Sequence, residues 1–180
     1  MTIYDKPIFL PAGDRAFTVE LGDTISPVLN RRIHNLLRAV ESSEPDGVVD
    51  LIPTYRSLLI EYDPLQASLH DLQRLIMELE SDLDESTPSG SKIVYLPTIY
   101  GDEYGPDLEE VAKHTSLTVD EVIHIHSEIE YLVYMMGFTP GFPYLGGMAE
   151  SLALPRLNTP RSSIPAGSVG IAENQTGIYP

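Results

Sequence analysis

A chain of 180 residues, 42% of them hydrophobic, has enough apolar surface for one large domain or two small ones. Eleven basic against 27 acidic residues give a net charge of -16, a field that repels phosphate backbones and anionic lipid, so neither nucleic acid nor a membrane is an expected partner. Zero cysteines exclude disulfides, thiolate nucleophiles and cysteine metal sites. No apolar run approaches the roughly 18 to 20 residues of a membrane span, and the opening MTIYDKPIFLPAGDRAF lacks the basic and apolar regions of a secretory signal. The cytoplasm is the expected compartment.

Along the first half, strand-like and helix-like segments alternate. Phe17, Val19 and Leu21 alternate with polar residues and predict a half-buried strand. Ser26-Pro27 supplies an N-cap and a proline at the first helical position, and Val28, Leu29, Ile33, Leu36, Leu37 and Val40 follow at helical spacing. VVDLIP and SLLIEY predict two strands of a hairpin joined near Pro53 to Arg56. A second helix is expected to open at Asp63-Pro64 and to carry Leu65, Leu69, Leu72, Ile76, Leu79 and Leu83 as one stripe. With one further strand, this order makes a split β-α-β, ferredoxin-like layer of helices on an antiparallel sheet. The fold class is therefore α+β.

Residues 84–91, DESTPSGS, have no apolar side chain and predict a linker between an N-terminal domain at 1–83 and a second domain at 92–180. KIVYLP is strand-like, and PDLEEVAKH predicts a short helix opened by Pro106. Thr118 to Glu121 matches a capping box, with Leu117 and Val122 placed for a hydrophobic staple. IEYLVYMM is a β-rich run, and short strands are expected around Ile164 and from Val169 to Ile171. The second domain is thus β-rich with two small helices.

Candidate chemistry gathers in the second domain. His124 and His126 would share a face in a strand, but the capping box puts them on a helix, where they stand about 200° apart and cannot chelate one ion. No metal site is expected. His126 lies on the inward Val122 face and on its residues reads as a satisfied core histidine. Arg156 and Arg161 flank LNTP in a proline-bounded loop, where fixed guanidinium groups grip a carboxylate or phosphate. An anion-binding loop including Asn158, Ser162 and Ser163, and idle surface arginines, stand as alternatives. Asn174, Gln175 and Thr176 offer amide and hydroxyl contacts, or turn chemistry leading into Gly177. Phe138, Phe142 and Tyr144 suit an apolar pocket wall, with Gly137, Gly141, Gly146 and Gly147 permitting close approach. There is no phosphate-binding GxxxxGK[ST] loop, and Ser162, Ser163 and Ser168 lack a nucleophile-elbow context.

GFTPGFPYLGG, LPRLNTPR and IPAGSVGIAENQTGIYP resemble the hallmark segments of the family formed by the B subunits of 5-oxoprolinase, a group that includes allophanate hydrolase subunit 1 and the sporulation-kinase inhibitor KipI. GDRAFTVELGDTISPVLNRRIHNL, IPTYRSLLIEYDP and YGPDLEEVAKHTSLTVDEVIHIHS extend the resemblance over nearly the whole chain. It implies a cyclophilin-like C-terminal domain. It implies a component of an ATP-dependent enzyme that opens 5-oxoproline to glutamate, with ATP as co-substrate and with the enzyme's A component and its KipA-like C component as partners. His126-Ser127 sits where the family has a His-Ser pair, which makes His126 a proton-transfer candidate. Arg156, Arg161, Asn158, Gln175, Phe142 and Tyr144 become the expected substrate-binding set. Inhibition of a sensor histidine kinase, or an allophanate hydrolase role, are the competing implications. Family members continue past GIYP with a Glu-Ser-Pro-Gly-Gly-Trp stretch and further strands, so the resemblance also implies a C-terminal domain left incomplete at Pro180, with unpaired edges around Ile164 and Ile171.

Overall fold

A computed structural model describes residues 3–83 and 92–180, and the chain divides into two compact units, 1–91 and 92–180. The expected linker at 84–91 lies outside the described residues. The first unit runs β1 (Ile3–Pro11), β2 (Ala16–Gly22), α1 (Pro27–Ser43), β3 (Val48–Pro53), β4 (Ser57–Tyr62) and α2 (Leu69–Ser81). Its four strands form an antiparallel sheet in the order β1-β2-β4-β3. β4 therefore lies between β2 and β3, the two strands that α1 connects, and β3 and β4 are the expected hairpin.

Side-chain alternation turns Phe17 and Val19 of β2 and Leu58 and Ile60 of β4 inward, where each is at most 1% exposed. Leu29, Ile33, Leu36 and Val40 of α1 and Leu72 and Ile76 of α2 close the same core. The start of α1 is set by Ser26, whose hydroxyl accepts from the Leu29 amide at 3.2 Å, with Pro27 occupying the first turn. The buried Asn30 amide donates to the Thr54 carbonyl at 3.1 Å and ties α1 to the β3–β4 turn. Arg32 of α1 pairs with Glu80 of α2, whose side chain is only 8% exposed. Such a pair is costly to break from one side, because the other charge stays buried.

The fourth strand of this unit comes at its start, and the expected start of α2 and the inward placing of Leu65 and Val28 are corrected. The further strand exists as β1, which is hard to read from sequence because Pro7, Pro11 and a bulge between Ile3 and Ile8 erase a clean alternation. α2 does not open at Asp63-Pro64. The Asp63 carboxylate accepts from the Leu65 amide at 3.0 Å and its carbonyl from Gln66 and Ala67 at 3.0 Å, which closes a turn instead. The helix begins after Ser68, whose hydroxyl accepts from the Asp71 amide at 3.1 Å. Leu65 thus falls outside the stripe and is 93% exposed, and Val28, in the first turn of α1, is 52% exposed.

The second unit runs α3 (Leu108–Thr115), α4 (Val119–Ser127), β5 (Leu132–Met136), β6 (Pro143–Gly146), a 3-10 turn (Glu150–Leu152), β7 (Val169–Ala172) and β8 (Gln175–Ile178). Its sheet is antiparallel in the order β5-β6-β8-β7. α4 starts with the expected capping box: Thr118 Oγ1 accepts from the Glu121 amide at 3.2 Å, while the Glu121 carboxylate accepts from the Thr118 amide at 2.7 Å. Leu117 and Val122 both join a small core with Ala112, Met148 and Leu152. KIVYLP forms no strand, and Tyr95 within it is 85% exposed. Its β-favouring residues express a fit to a pleated, half-buried surface, and no strand among the described residues pairs with it. Ile164 is likewise outside any strand, between Pro160 and Pro165, which donate nothing to a ladder. No helix among the described residues is long and apolar enough to cross a membrane.

The corrected start of α2 makes two leucine-class positions unequal. Ile76→Ala should destabilise the first unit by about 2 to 5 kcal/mol, whereas Leu65→Ala should stay within about 0.5 kcal/mol of the parent. Paired urea unfolding curves measure both, and equal losses would restore Leu65 to the helix stripe.

Candidate functional site

His126 sits in the last turn of α4 and is 8% exposed. A buried imidazole needs a partner at each nitrogen. Nδ1 lies 2.7 Å from the Tyr100 hydroxyl and Nε2 lies 3.1 Å from Thr176 Oγ1 on β8. Thr176, 4% exposed, also donates to the Gly170 carbonyl on β7 at 3.2 Å, and the Tyr131 hydroxyl donates to the His126 carbonyl at 2.8 Å. The ring is flanked by Tyr100 edge-on at 5.8 Å and by Tyr131 at 5.5 Å. Burial disfavours the charged imidazole and lowers its pKa from the ordinary histidine value. Burial also pushes the Tyr131 phenol up to about 12 and raises that of Tyr100. His124, on the opposite side of the helix, is exposed and faces Glu128 at 3.2 Å, so the two histidines do not converge.

The arginine loop is placed differently from the histidine. Arg161 holds Asp107 at the start of α3 through two parallel hydrogen bonds of 2.6 Å each, a planar fork on a carboxylate. These bonds hold the Asp107 carboxyl below the usual range and raise the guanidinium pKa. Arg156 and Asn158 remain exposed, and Arg156 makes no ion pair among the described residues.

The aromatic residues do converge. Phe142 stacks edge-to-face on Tyr144 and on Tyr179, each at 5.3 Å, and on Phe138 at 5.6 Å. The tight loop between β5 and β6 is closed by Thr139 N to Gly137 O at 2.7 Å and Phe142 N to Thr139 O at 3.1 Å. Phe138 is held there at φ +63 and is 79% exposed. A positive φ is strained for a bulky side chain, and such strain concentrates at working loops. The glycines admit these rings. A Cβ on Gly177 would meet the Phe142 ring at 2.7 Å, and one on Gly146 would overlap the ring of Tyr134. Gln175, half-buried at the start of β8, and Gly177 alternate with the inward Thr176, so β8 separates the histidine from the aromatic face.

Tyr100, Tyr131, Asp107 and Tyr179 were not singled out by sequence reasoning. Tyr100 stands directly before the Gly101 turn, at φ +81, that leads toward α3, and a tyrosine fixed ahead of a glycine turn was the available signal. Tyr179 follows β8 within the GIYP segment.

With this geometry in view, residues 7–180 match the family model of the carboxyltransferase domain, subdomain C and D. The chain is 42% identical to the B subunit of 5-oxoprolinase from Bacillus subtilis (strain 168), covering 93% of this chain and 74% of that protein. It is 37% identical to the B subunit of 5-oxoprolinase from Escherichia coli O157:H7, covering 93% and 76%. Among solved structures, the crystal structure of TTHA0988 superposes with a TM-score of 0.80 at 38% identity, over 92% of this chain but only 32% of that one. The chain belongs to the carboxyltransferase subdomain C and D family, alongside these bacterial 5-oxoprolinase B subunits.

The buried histidine sets a pH dependence. The unfolded imidazole takes up a proton near pH 6.5, and the folded one does so only at lower pH, so its contribution is complete above about 6.5 and declines as pH falls below that value. Thermal unfolding between about pH 7.5 and 5.5 should show the parent losing more stability than His126→Gln. Parallel curves for the two proteins would contradict a neutral, buried His126.

Proposed function

We propose that the chain is the B component of an ATP-dependent 5-oxoprolinase, acting with the A and C components to open 5-oxoproline to glutamate with hydrolysis of ATP. The observation that carries this reading is the 42% and 37% identity to proteins named as the B subunit of 5-oxoprolinase, across 93% of this chain. The chemistry is consistent with it. A lactam amide is resonance-stabilised, and activation of its oxygen by ATP lowers the barrier to ring opening. A urea-degrading, allophanate-type role is the second reading, favoured by a 25% identity to the urea amidolyase of Saccharomyces cerevisiae that covers 97% of this chain and 11% of that protein.

In the proposed assembly, Arg156 and Asn158 orient carboxylate or phosphoryl groups, Arg161 joins them only by exchanging its Asp107 partner for the ligand, and Gln175, Phe142 and Tyr144 form the ligand-facing side of the paired strands β6 and β8. His126, the proton-transfer candidate, stands behind β8, and the Tyr100 hydroxyl at its Nδ1 is the link through which a proton would pass. We take the domains as 1–83 and 92–180 joined by 84–91. The order β1-β2-β4-β3 supports a ferredoxin-like relation for the first, and the resemblance supports a cyclophilin-like one for the second. The absence of cysteine and the bacterial relatives favour a cytoplasmic complex.

Co-expression with the cognate A and C components should yield ATP hydrolysis that depends on 5-oxoproline. Hydrolysis that ignores 5-oxoproline but responds to allophanate would transfer the protein to the second reading. In the active complex, Arg156→Ala should lower turnover roughly ten- to a hundredfold, the weight of one lost charge-assisted contact of about 1.5 to 3 kcal/mol. Arg156→Lys should restore little of it, because lysine lacks the planar fork. Unchanged kinetics in the alanine variant would reduce Arg156 to a surface residue.

A further inference from the structure

The hydrogen bonds around His126 form a chain with a fixed direction. Thr176 has one hydroxyl proton, and its acceptor is the Gly170 carbonyl at 3.2 Å. The Thr176 oxygen is therefore left to accept from His126 Nε2 at 3.1 Å, which puts the ring proton on Nε2. Nδ1 is then bare and accepts the Tyr100 hydroxyl proton at 2.7 Å. Every hydrogen in the series is assigned, and the series ends on a backbone carbonyl. A carbonyl that already accepts cannot pass a proton onward, so this end of the chain is closed.

From this geometry we propose that Tyr100 and Thr176 are positioning residues that lock His126 as its neutral Nε2–H tautomer, making one clasp across the 92–107 segment, α4, β7 and β8. The clasp acts on β8. Thr176 is its inward residue, and its neighbours Gln175 and Gly177 turn to the opposite side, where Phe142 packs against Gly177. Fixing Thr176 fixes the backbone that presents the aromatic face. The groups shown against the ring are the Tyr100 and Tyr131 phenols and Thr176, whose own acceptor is the Gly170 carbonyl, and the two that titrate do so far above neutral pH. Among the described residues the ring thus has no anionic partner that would draw a second proton onto it. The functional weight of the clasp rests on β8 carrying the ligand face as proposed above; the tautomer and the hold on β8 do not.

Nitrogen-15 spectra of the full chain, labelled in histidine, report the tautomer directly and need no partner protein, so a failed oxoprolinase assay leaves this test intact. The parent should show a protonated Nε2 and a bare Nδ1 for His126 near neutral pH. Thr176→Ser keeps the acceptor and should keep that pattern. Thr176→Val removes it, and the proton should move to Nδ1, where the Tyr100 oxygen accepts. Hydrogen exchange of the β8 amides should accelerate in the valine variant and not in the serine one. A parent ring protonated on Nδ1 or on both nitrogens overturns the proposal without any variant. A valine variant that stays protonated on Nε2, or β8 protection equal in all three proteins, overturns it as well.

Discussion

Burying an imidazole obliges a protein to answer two nitrogens that water would otherwise satisfy, and much of the second unit is organised around that obligation. The answers come from Tyr100, from the segment before α3, and from Thr176 on β8. Thr176 in turn engages β7, and Tyr131 closes over the carbonyl of the same histidine. Among the described residues the buried apolar side chains here are few, Ala112, Val122, Met148 and Leu152 in one cluster with Tyr134 and Leu145 besides, so polar connections carry a large share of the architecture. The cost of leaving any of them unmade exceeds the gain from making it, which gives a sparse core a single arrangement rather than several.

The first unit solves the same problem by apolar burial. Its sheet and two helices share one cluster of twelve buried side chains among the described residues, and its polar devices serve the margins: Ser26 and Ser68 start helices, Asn30 fastens a turn, and Arg32 and Glu80 link α1 with α2. A unit held mainly by non-directional burial tolerates volume-conserving changes. One held by directional bonds tolerates few, and the candidate site belongs to the second kind. The division agrees with the general placement of function on structures whose geometry is specified residue by residue.

Periodicity made much of this legible in advance. The alternation of Phe17, Val19 and Leu21, the Ser26-Pro27 helix start and the Thr118 capping box are local signals, and the structure uses each of them locally. What failed were readings in which tertiary context decides. KIVYLP has strand propensity but no described neighbour, Asp63-Pro64 has helix-opening residues but closes a turn, and β1 is a strand whose prolines and bulge hide it. At the candidate site, residue types were readable and connections were not. That Arg161 would reach Asp107, 54 residues away, or that Thr176 would find His126 across 50, follows from topology rather than from any motif.

The glycines of the last segment also bear on how this sequence can change. At Gly146 and Gly177 an aromatic ring occupies the volume that a Cβ would fill, Tyr134 in one case and Phe142 in the other. Glycine and ring therefore behave as one inherited character. A side chain at either glycine becomes acceptable only after its ring has shrunk, and shrinking the ring first opens a void beside bare backbone. Each single step is worse than the start, so the two positions of each couple can drift only together. Substitution libraries that vary these glycines one at a time should recover almost nothing, while libraries that vary glycine and ring jointly reach alternatives that one-step evolution passes by.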